Sequence, residues 1–163
     1  EHLYGKYQMN PDDLKPLLWK RMGYEEHEDV PKEFKVVVTG QTEFFHAEPI
    51  ERVFRDLRSL LGNGISIKII HGAAPGADTV AAAAAKRLFG EDNVLAFPAN
   101  WSLLGLKAGP LRNSVMIAQG PQLVIAFYVK EGPLFSKGTN DTVKKAGQKQ
   151  IPVLKYEHDV GWM

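Results

Sequence analysis

The chain has 163 residues, of which 44% are hydrophobic and 24% are charged, and its formal net charge is +1. These values fit a globular domain with a full core, and the balance of 20 basic against 19 acidic residues argues against a general nucleic-acid-binding surface. The absence of cysteine excludes disulfides and thiolate zinc sites, and the five histidines lack metal-ligand spacing. We therefore expect no metal, and nucleic acid is an unfavoured partner.

The sequence has no signal-peptide pattern and no apolar run long enough to span a bilayer. The lack of cysteine is compatible with a reducing compartment. We therefore expect a cytoplasmic protein without a membrane partner.

Residues 1–34 are expected to form an N-terminal helical extension and a linker. Asn10-Pro11-Asp12-Asp13 has the capping side chain, the proline and the acidic residues of a helix start, and a helix is predicted from there to Met22. Its apolar face consists of Leu14, Leu17, Leu18 and Met22. The helix either packs on the outside of the domain or serves as the arm of a homodimer or higher oligomer.

Strands alternate with helices over residues 35–163. The unbroken β-branched run KVVVT at Lys35–Thr39 predicts a strand buried on both faces, as in a parallel sheet. Further strands are predicted at Ile65–Ile70, Asn93–Phe97, Leu123–Phe127 and Ile151–Lys155, and helices at Ala47–Leu61, Thr79–Phe89, Pro110–Gln119 and Gly138–Gly147. The pattern predicts an α/β domain with a Rossmann-like three-layer fold, whose mostly parallel sheet has five strands or slightly more.

Several unusual loops follow predicted strands. They contain Gly40-Gln41-Thr42, His71–Asp78, Pro98–Trp101 and the segment before Gly138. In open parallel sheets the ligand lies beyond the carboxyl ends of the strands, where these loops meet. We expect the small residues of HGAAPGAD, among them Gly72, Ala73 and Gly76, to leave N–H groups uncovered for an anion at a helix N-terminus, although a plain tight turn is an equal alternative.

The stretch Pro98–Met116 is long and lacks an amphipathic repeat before Pro110, which is typical of functional connections. Trp101 offers a face for a base to stack on, or else plugs the sheet edge. Gly109 has no side chain and permits another group to approach its backbone closely. Arg112 and Asn113 are expected in the first turn of the next helix, where the guanidinium would grip a phosphate.

Other polar candidates have both a structural and a functional interpretation. Asp78 is a partner of the helix dipole or a helix cap, or else a ribose hydroxyl acceptor, with the structural interpretation slightly favoured. His71 is a general base or, more commonly, a hydrogen-bonded structural residue. Gly138-Thr139 is a capped helix start or a second N–H cluster, with Asp141 as a first-turn acid.

No Rossmann G-x-G-x-x-G follows the first strand, where the sequence is Gly40-Gln41-Thr42-Glu43, and no Walker A motif is present. A dinucleotide-dependent dehydrogenase and a P-loop NTPase are therefore not expected.

Five motifs, taken together, resemble the YspA-like, cpYpsA-related branch of the SLOG superfamily, which includes DprA/Smf and the LOG phosphoribohydrolases. They are VVVTG (36–40), HGAAPGAD (71–78), PANW (98–101), AGPLRNSVM (108–116) and GT (138–139). The resemblance covers about residues 35–154. It implies a Rossmann-like domain that binds nucleotides or nucleotide-derived ligands. The LOG enzymes use an R-x-x-x-M stretch and P-G-G-x-G-T-x-x-E for N-glycosidic cleavage.

Arg112 and Met116 match the first LOG stretch, and Gly138-Thr139 match part of the second. The glutamate position is Thr142, Asp141 lies one residue early, and Phe135-Ser136-Lys137 replace Pro-Gly-Gly. The branch also commonly has an arginine after its first strand, which Gln41-Thr42 lacks.

The leading hypothesis is a sensor or sequestering module for a nucleotide-derived ligand, with no required cofactor. In it Gly72, Gly76, Arg112, Gly138 and Thr139 hold phosphate, Trp101 stacks on the base and Asp78 takes the ribose. The alternatives are a LOG-like hydrolase with Arg112, Asp141 or Asp78 as catalytic candidates, and DprA-like binding of single-stranded DNA. The expected ligand-binding residues are Gly40, Gln41, Thr42, His71, Gly72, Ala73, Gly76, Asp78, Pro98, Trp101, Gly109, Arg112, Asn113, Gly138 and Thr139.

Overall fold

The computed structural model describes residues 5–7, 33–129 and 137–158. The strands are β1 (Gly5–Tyr7), β2 (Glu33–Gly40), β3 (Ser66–His71), β4 (Val94–Ala96), β5 (Leu123–Val129) and β6 (Val153–His158). The helices are α1 (Ala47–Leu61), α2 (Ala77–Phe89), α3 (Trp101–Leu104), α4 (Ala108–Ala118) and α5 (Lys137–Gln148), with short 3₁₀ turns at Glu91–Asn93 and Gly105–Lys107.

The six strands form one sheet in the order β1-β6-β5-β2-β3-β4. All neighbouring pairs are parallel except β1 with β6. The five parallel strands therefore have the doubly wound order of a Rossmann-like fold, which confirms the predicted fold class. The strand order reverses between β2 and β5, and ligands of such sheets bind at the carboxyl edge near this switch point.

Each face of the sheet is covered by two of the longer helices. Alternate residues of β2 separate the two cores: Val36 and Val38 pack with residues of α1 and α2, whereas Val37 packs with residues of α4 and α5. All three valines are fully buried. This confirms that the KVVVT run is a central strand buried on both sides.

Four predictions about local structure need correction. Residues 1–34 were expected to form a helical extension and a linker, yet Gly5–Tyr7 forms an edge strand on β6. The last strand runs beyond Lys155 to His158. The connection after Pro98 contains α3 and a 3₁₀ turn. The next helix begins at Ala108, before Pro110.

The predicted N-terminal helix at 10–22, the linker after it and the loop at 130–136 lie outside the described residues. The other predicted strands and helices are present, and α1 has the predicted bounds. Within the described ranges, no helix is long and apolar enough to cross a membrane.

Candidate functional site

The loop after β3 is stabilised by its own side chains. The Oδ2 atom of Asp78 accepts hydrogen bonds from the N–H groups of Gly72 at 2.9 Å and Ala74 at 3.4 Å. The N–H of Ala73 donates to Nδ1 of His71 at 3.0 Å. Three backbone donors that were expected to face a ligand are thus already bonded, and the expectation of an uncovered N–H cluster is wrong for these residues.

Asp78 lies in the first turn of α2, as expected for a partner of the helix dipole. It is not the helix cap, because α2 is preceded by Gly76 and has no side-chain cap hydrogen bond. The carboxyl group is 5% exposed. Burial raises its pKa to about 6, although the Gly72 and Ala74 N–H groups and the charge of Arg112 act in the opposite direction. Asp78 therefore stabilises the preceding loop, and its accepting oxygen faces that loop.

His71 is also buried and bonded within the loop. Burial lowers its pKa, and the positive charges of Lys86 and Arg112 lower it further. A neutral imidazole that accepts at Nδ1 carries its proton on Nε2. Because Nδ1 is occupied by Ala73, the structural interpretation of this histidine has direct support.

The loop after β2 covers the start of α2. The carbonyl of Gln41 accepts the N–H groups of Phe44 at 3.1 Å and Ala77 at 3.3 Å. Its side-chain Oε1 accepts the N–H of Val129 at 2.6 Å. Gln41 therefore links the carboxyl ends of the two strands that border the switch point.

Two glycines permit this close packing. A Cβ at Gly40 would collide with Ala77 and with the backbone of Phe127. Gly76 has φ of +82°, and a Cβ there would collide with the carbonyl of Thr42. The glycines predicted for ligand contact at these positions are thus required for packing between the two loops.

Arg112 is the central cation of the site. Its Nη1 donates to the carbonyl of Gly72 and, at 3.4 Å, to the carbonyl of Phe97. Its Nε donates to Oδ1 of Asn113 at 2.8 Å. The guanidinium lies so close to Gly72 that a Cβ on that residue would overlap it. Arg112 therefore joins the ends of β3 and β4.

The expected placement of Arg112 in the first turn is wrong, because α4 begins four residues earlier at Ala108. The three bonds of Nε and Nη1 still leave the two N–H groups of Nη2, and no described residue accepts a hydrogen bond from them.

Asn113 connects Arg112 to the start of α5. It is buried, and its Nδ2 donates to the carbonyl of Gly138 at 3.3 Å and to Oδ2 of Asp141 at 3.0 Å. Nζ of Lys145 donates to the same Asp141 oxygen at 2.6 Å and to the carbonyl of Pro110 at 2.9 Å. Lys145 had no role in the sequence hypothesis, although its spacing of four residues from Asp141 is a recognisable pairing signal.

Asp141 is ionised in this network. Burial alone would raise its pKa, but the hydrogen bonds from Lys145 and Asn113 and the nearby lysine charges outweigh burial and lower the pKa. Asp141 lies in the second turn of α5 rather than the first. Its negative charge is compensated by Lys145.

Thr139 lies in the first turn of α5 and is 1% exposed. Within the described part of the chain, its Oγ1 has no hydrogen-bond partner. It is therefore not the cap of the helix. A buried hydroxyl without a partner costs free energy, and this one lies in the first turn of α5, where the backbone N–H groups of an α-helix have no intrahelical acceptor.

Trp101 begins α3 and is 55% exposed. One edge of its ring approaches Gly109, where an added Cβ would lie 2.9 Å from the indole. The tryptophan is therefore only partly packed, and its ring is accessible for stacking. Pro98 is exposed in the connection between β4 and α3.

The structure thus brings together Gly72, Asp78, Arg112, Asn113, Gly138 and Asp141 in one hydrogen-bonded network at the carboxyl edge. Among the residues described, no group of three or more histidine, aspartate or glutamate side chains could hold a metal ion. The chain matches no protein-family model, no curated protein and no solved structure.

Proposed function

We propose that this protein binds a nucleotide or a nucleotide-derived phosphorylated ligand at the carboxyl edge of its sheet, as a sensing or sequestering module in the cytoplasm. The observation that carries the proposal is the buried Oγ1 of Thr139, which has no partner among the described residues. A phosphate at the start of α5 would accept from this hydroxyl and from backbone N–H groups of the first turn.

The start of α5 is the first anchor for the phosphate, and Arg112 is the second. Two of its nitrogens are bound by Gly72, Phe97 and Asn113, so the guanidinium is held in place before a ligand arrives. Its Nη2 donors remain for a phosphate oxygen, and an arginine fixed in this way loses little entropy on binding. Because Asn113 bonds to both Arg112 and Gly138, the two anchors belong to one network.

The roles of the earlier loop change in this proposal. Gly72 and Gly76 allow close packing, and Asp78 holds the loop against which Arg112 rests. Trp101 is the candidate for stacking on the base, since its ring is accessible and lies on the chain between β4 and α4. The resemblance to the SLOG superfamily, carried by the same residues, favours the same class of ligand.

Cleavage of an N-glycosidic bond has less support. Such a reaction needs a carboxylate beside the developing oxocarbenium ion. Asp78 uses an oxygen to hold its own loop, and Asp141 is bonded to Asn113 and Lys145. Single-stranded DNA binding is disfavoured by the net charge of +1.

Mass spectrometry of the small molecules released from purified, denatured protein tests the proposal. Thermal-shift measurements with nucleotides would follow, because a specific ligand at a hundredfold excess over Kd stabilises by about 2.7 kcal/mol. An intact nucleotide supports binding without turnover, whereas free base and ribose phosphate indicate cleavage. If no molecule is released and no nucleotide shifts the melting temperature, the proposal is wrong.

A further inference from the structure

Tyr128 is an aromatic residue beside the candidate site that the sequence did not single out. It is the next-to-last residue of β5, at the carboxyl end of a strand that borders the switch point. Its neighbours Phe127 and Val129 belong to the core formed with α1 and α2. Because side chains alternate along a strand, Tyr128 faces the side of the sheet that α4 and α5 cover, where its ring is partly exposed.

The hydroxyl of Tyr128 connects this ring to the phosphate anchor at the start of α5. It donates to Oδ1 of Asn140 at 3.2 Å in an exposed hydrogen bond. Asn140 lies in the first turn of α5 and follows Thr139 in the sequence. Burial raises the pKa of the Tyr128 hydroxyl, so the side chain is uncharged at neutral pH and does not repel an anion bound nearby.

The two aromatic residues lie on opposite sides of the phosphate anchors. The ring of Trp101 lies against Gly109, which is three residues before Arg112 on α4, and residues at this spacing are neighbours on a helix. The strand order places β4 at one edge of the sheet and β5 beyond the switch point. A phosphate between Arg112 and the start of α5 therefore has Trp101 on its β4 side and Tyr128 on its β5 side.

The charges of the hydrogen-bonded network favour a phosphate with a single negative charge. The network contains the cations Arg112 and Lys145 and the carboxyl groups of Asp78 and Asp141. Lys145 is bound to Asp141 at 2.6 Å, which leaves Arg112 as the cation of the network that faces a ligand. A terminal phosphate monoester carries a charge of about −1.5 to −2 at pH 7, whereas a phosphodiester carries one charge.

We infer that the ligand carries its phosphate as an internal linkage with a group on each side, and that the second group stacks on Tyr128. The inference rests on the proposed function and narrows it to ligands in which the phosphate is not terminal. A nucleoside monophosphate would fill the phosphate anchors and reach Trp101, but it would leave the ring of Tyr128 uncovered. Stacking of one further base on an aromatic side chain raises affinity about tenfold or more.

Calorimetric titration of two probes into the full chain tests the inference. The probes are adenosine 5′-monophosphate and the dinucleoside adenylyl-(3′→5′)-adenosine, in which a phosphodiester joins two adenosines. We expect the dinucleoside to bind about tenfold more tightly, because its second adenine stacks on Tyr128. If the monophosphate binds as tightly as the dinucleoside, the inference is wrong and the proposed function stands. If neither probe binds, both fail.

Substitutions at Tyr128 show whether its ring causes the preference. In Tyr128→Leu the two probes should bind alike, whereas Tyr128→Phe keeps the ring and should keep the preference for the dinucleoside. A purely structural role would weaken both probes by the same factor and leave the ratio of their affinities unchanged, which would overturn the inference. The matched control is Phe45→Leu, which removes an aromatic side chain 65% exposed in the connection between β2 and α1 and should keep the ratio.

A single-stranded oligonucleotide of adenosines distinguishes a small ligand from a nucleic acid, because it repeats the same linkage along a strand. We expect it to bind about as tightly as the dinucleoside, since the site holds one phosphate and one group on each side. Affinity about a hundredfold higher that falls steeply with salt would identify a strand as the ligand and overturn the inference.

Discussion

The stability of this protein is expected to fall as the pH rises from about 4 to about 6, through the ionisation of Asp78. The carboxyl group is buried, and its pKa in the folded chain is raised from 3.8 to about 6. The folded state therefore holds the proton more tightly than the unfolded state. The stabilising contribution is complete below the unfolded pKa and is lost as the pH rises through the folded one.

The size of the effect follows from the two pKa values. A shift of about two units corresponds to about 3 kcal/mol of unfolding free energy. In Asp78→Asn the side chain stays neutral at every pH and keeps an oxygen that accepts the N–H groups of Gly72 and Ala74. The variant should therefore gain about 3 kcal/mol relative to the unmodified chain between pH 4 and pH 7.

Urea denaturation of both proteins across this pH range measures the difference, in which the titration of all other groups cancels. Asp141→Asn is a useful comparison because the pKa of Asp141 is lowered. The stabilising contribution of ionised Asp141 is present above the pKa of the unfolded chain and is lost as the pH falls through the lower pKa of the folded chain. A flat difference for Asp78→Asn, or one that favours the unmodified chain as the pH rises, would refute the account of this carboxyl group.

Three glycines should respond differently to alanine. Gly76→Ala should destabilise by about 3 kcal/mol or more, because its φ is positive and its Cβ meets the rigid backbone of Thr42. Gly72→Ala should cost less, about 1–3 kcal/mol, because the Arg112 side chain can move away. Gly147→Ala, in a helix with open space around it, should stabilise by about 0.5–1 kcal/mol. Urea denaturation ranks the three variants, and a different order contradicts the packing described.

The fold could be predicted because its strands and helices have strong local patterns. The apolar run around Val36–Val38 is buried on both faces, and the helical spacing of α1 matches its observed bounds. β1 could not be predicted, since the three residues Gly5–Tyr7 have no apolar pattern and become a strand only by pairing with β6. Its pairing partner lies at the other end of the chain.

The contacts within the candidate site could not be predicted from the sequence. Pro110 was taken as the first residue of its helix, yet it lies in the first turn, where the N–H that it lacks has no intrahelical partner. The hydrogen bond from the N–H of Gly72 to the Asp78 carboxylate depends on a side-chain rotamer that the local sequence does not determine. The link from Asn113 to Asp141 joins residues 28 apart and requires the packed sheet.

Calorimetric titration of nucleotides into Thr139→Val tests whether the Thr139 hydroxyl binds the ligand. Valine preserves the shape of threonine, and removal of a buried hydroxyl without a partner should leave the ligand-free stability unchanged or raise it by up to about 1 kcal/mol. The matched control is Thr142→Val, one turn later, where the buried hydroxyl donates to the carbonyl of Gly138 at 3.1 Å.

We expect Thr139→Val to weaken nucleotide binding about tenfold, because one hydrogen bond to a charged group is lost, while the stability of the variant is maintained. Thr142→Val should lose about 1 kcal/mol of stability and retain its affinity. Undiminished affinity in Thr139→Val, or equal loss in both variants, would contradict a phosphate site at the start of α5.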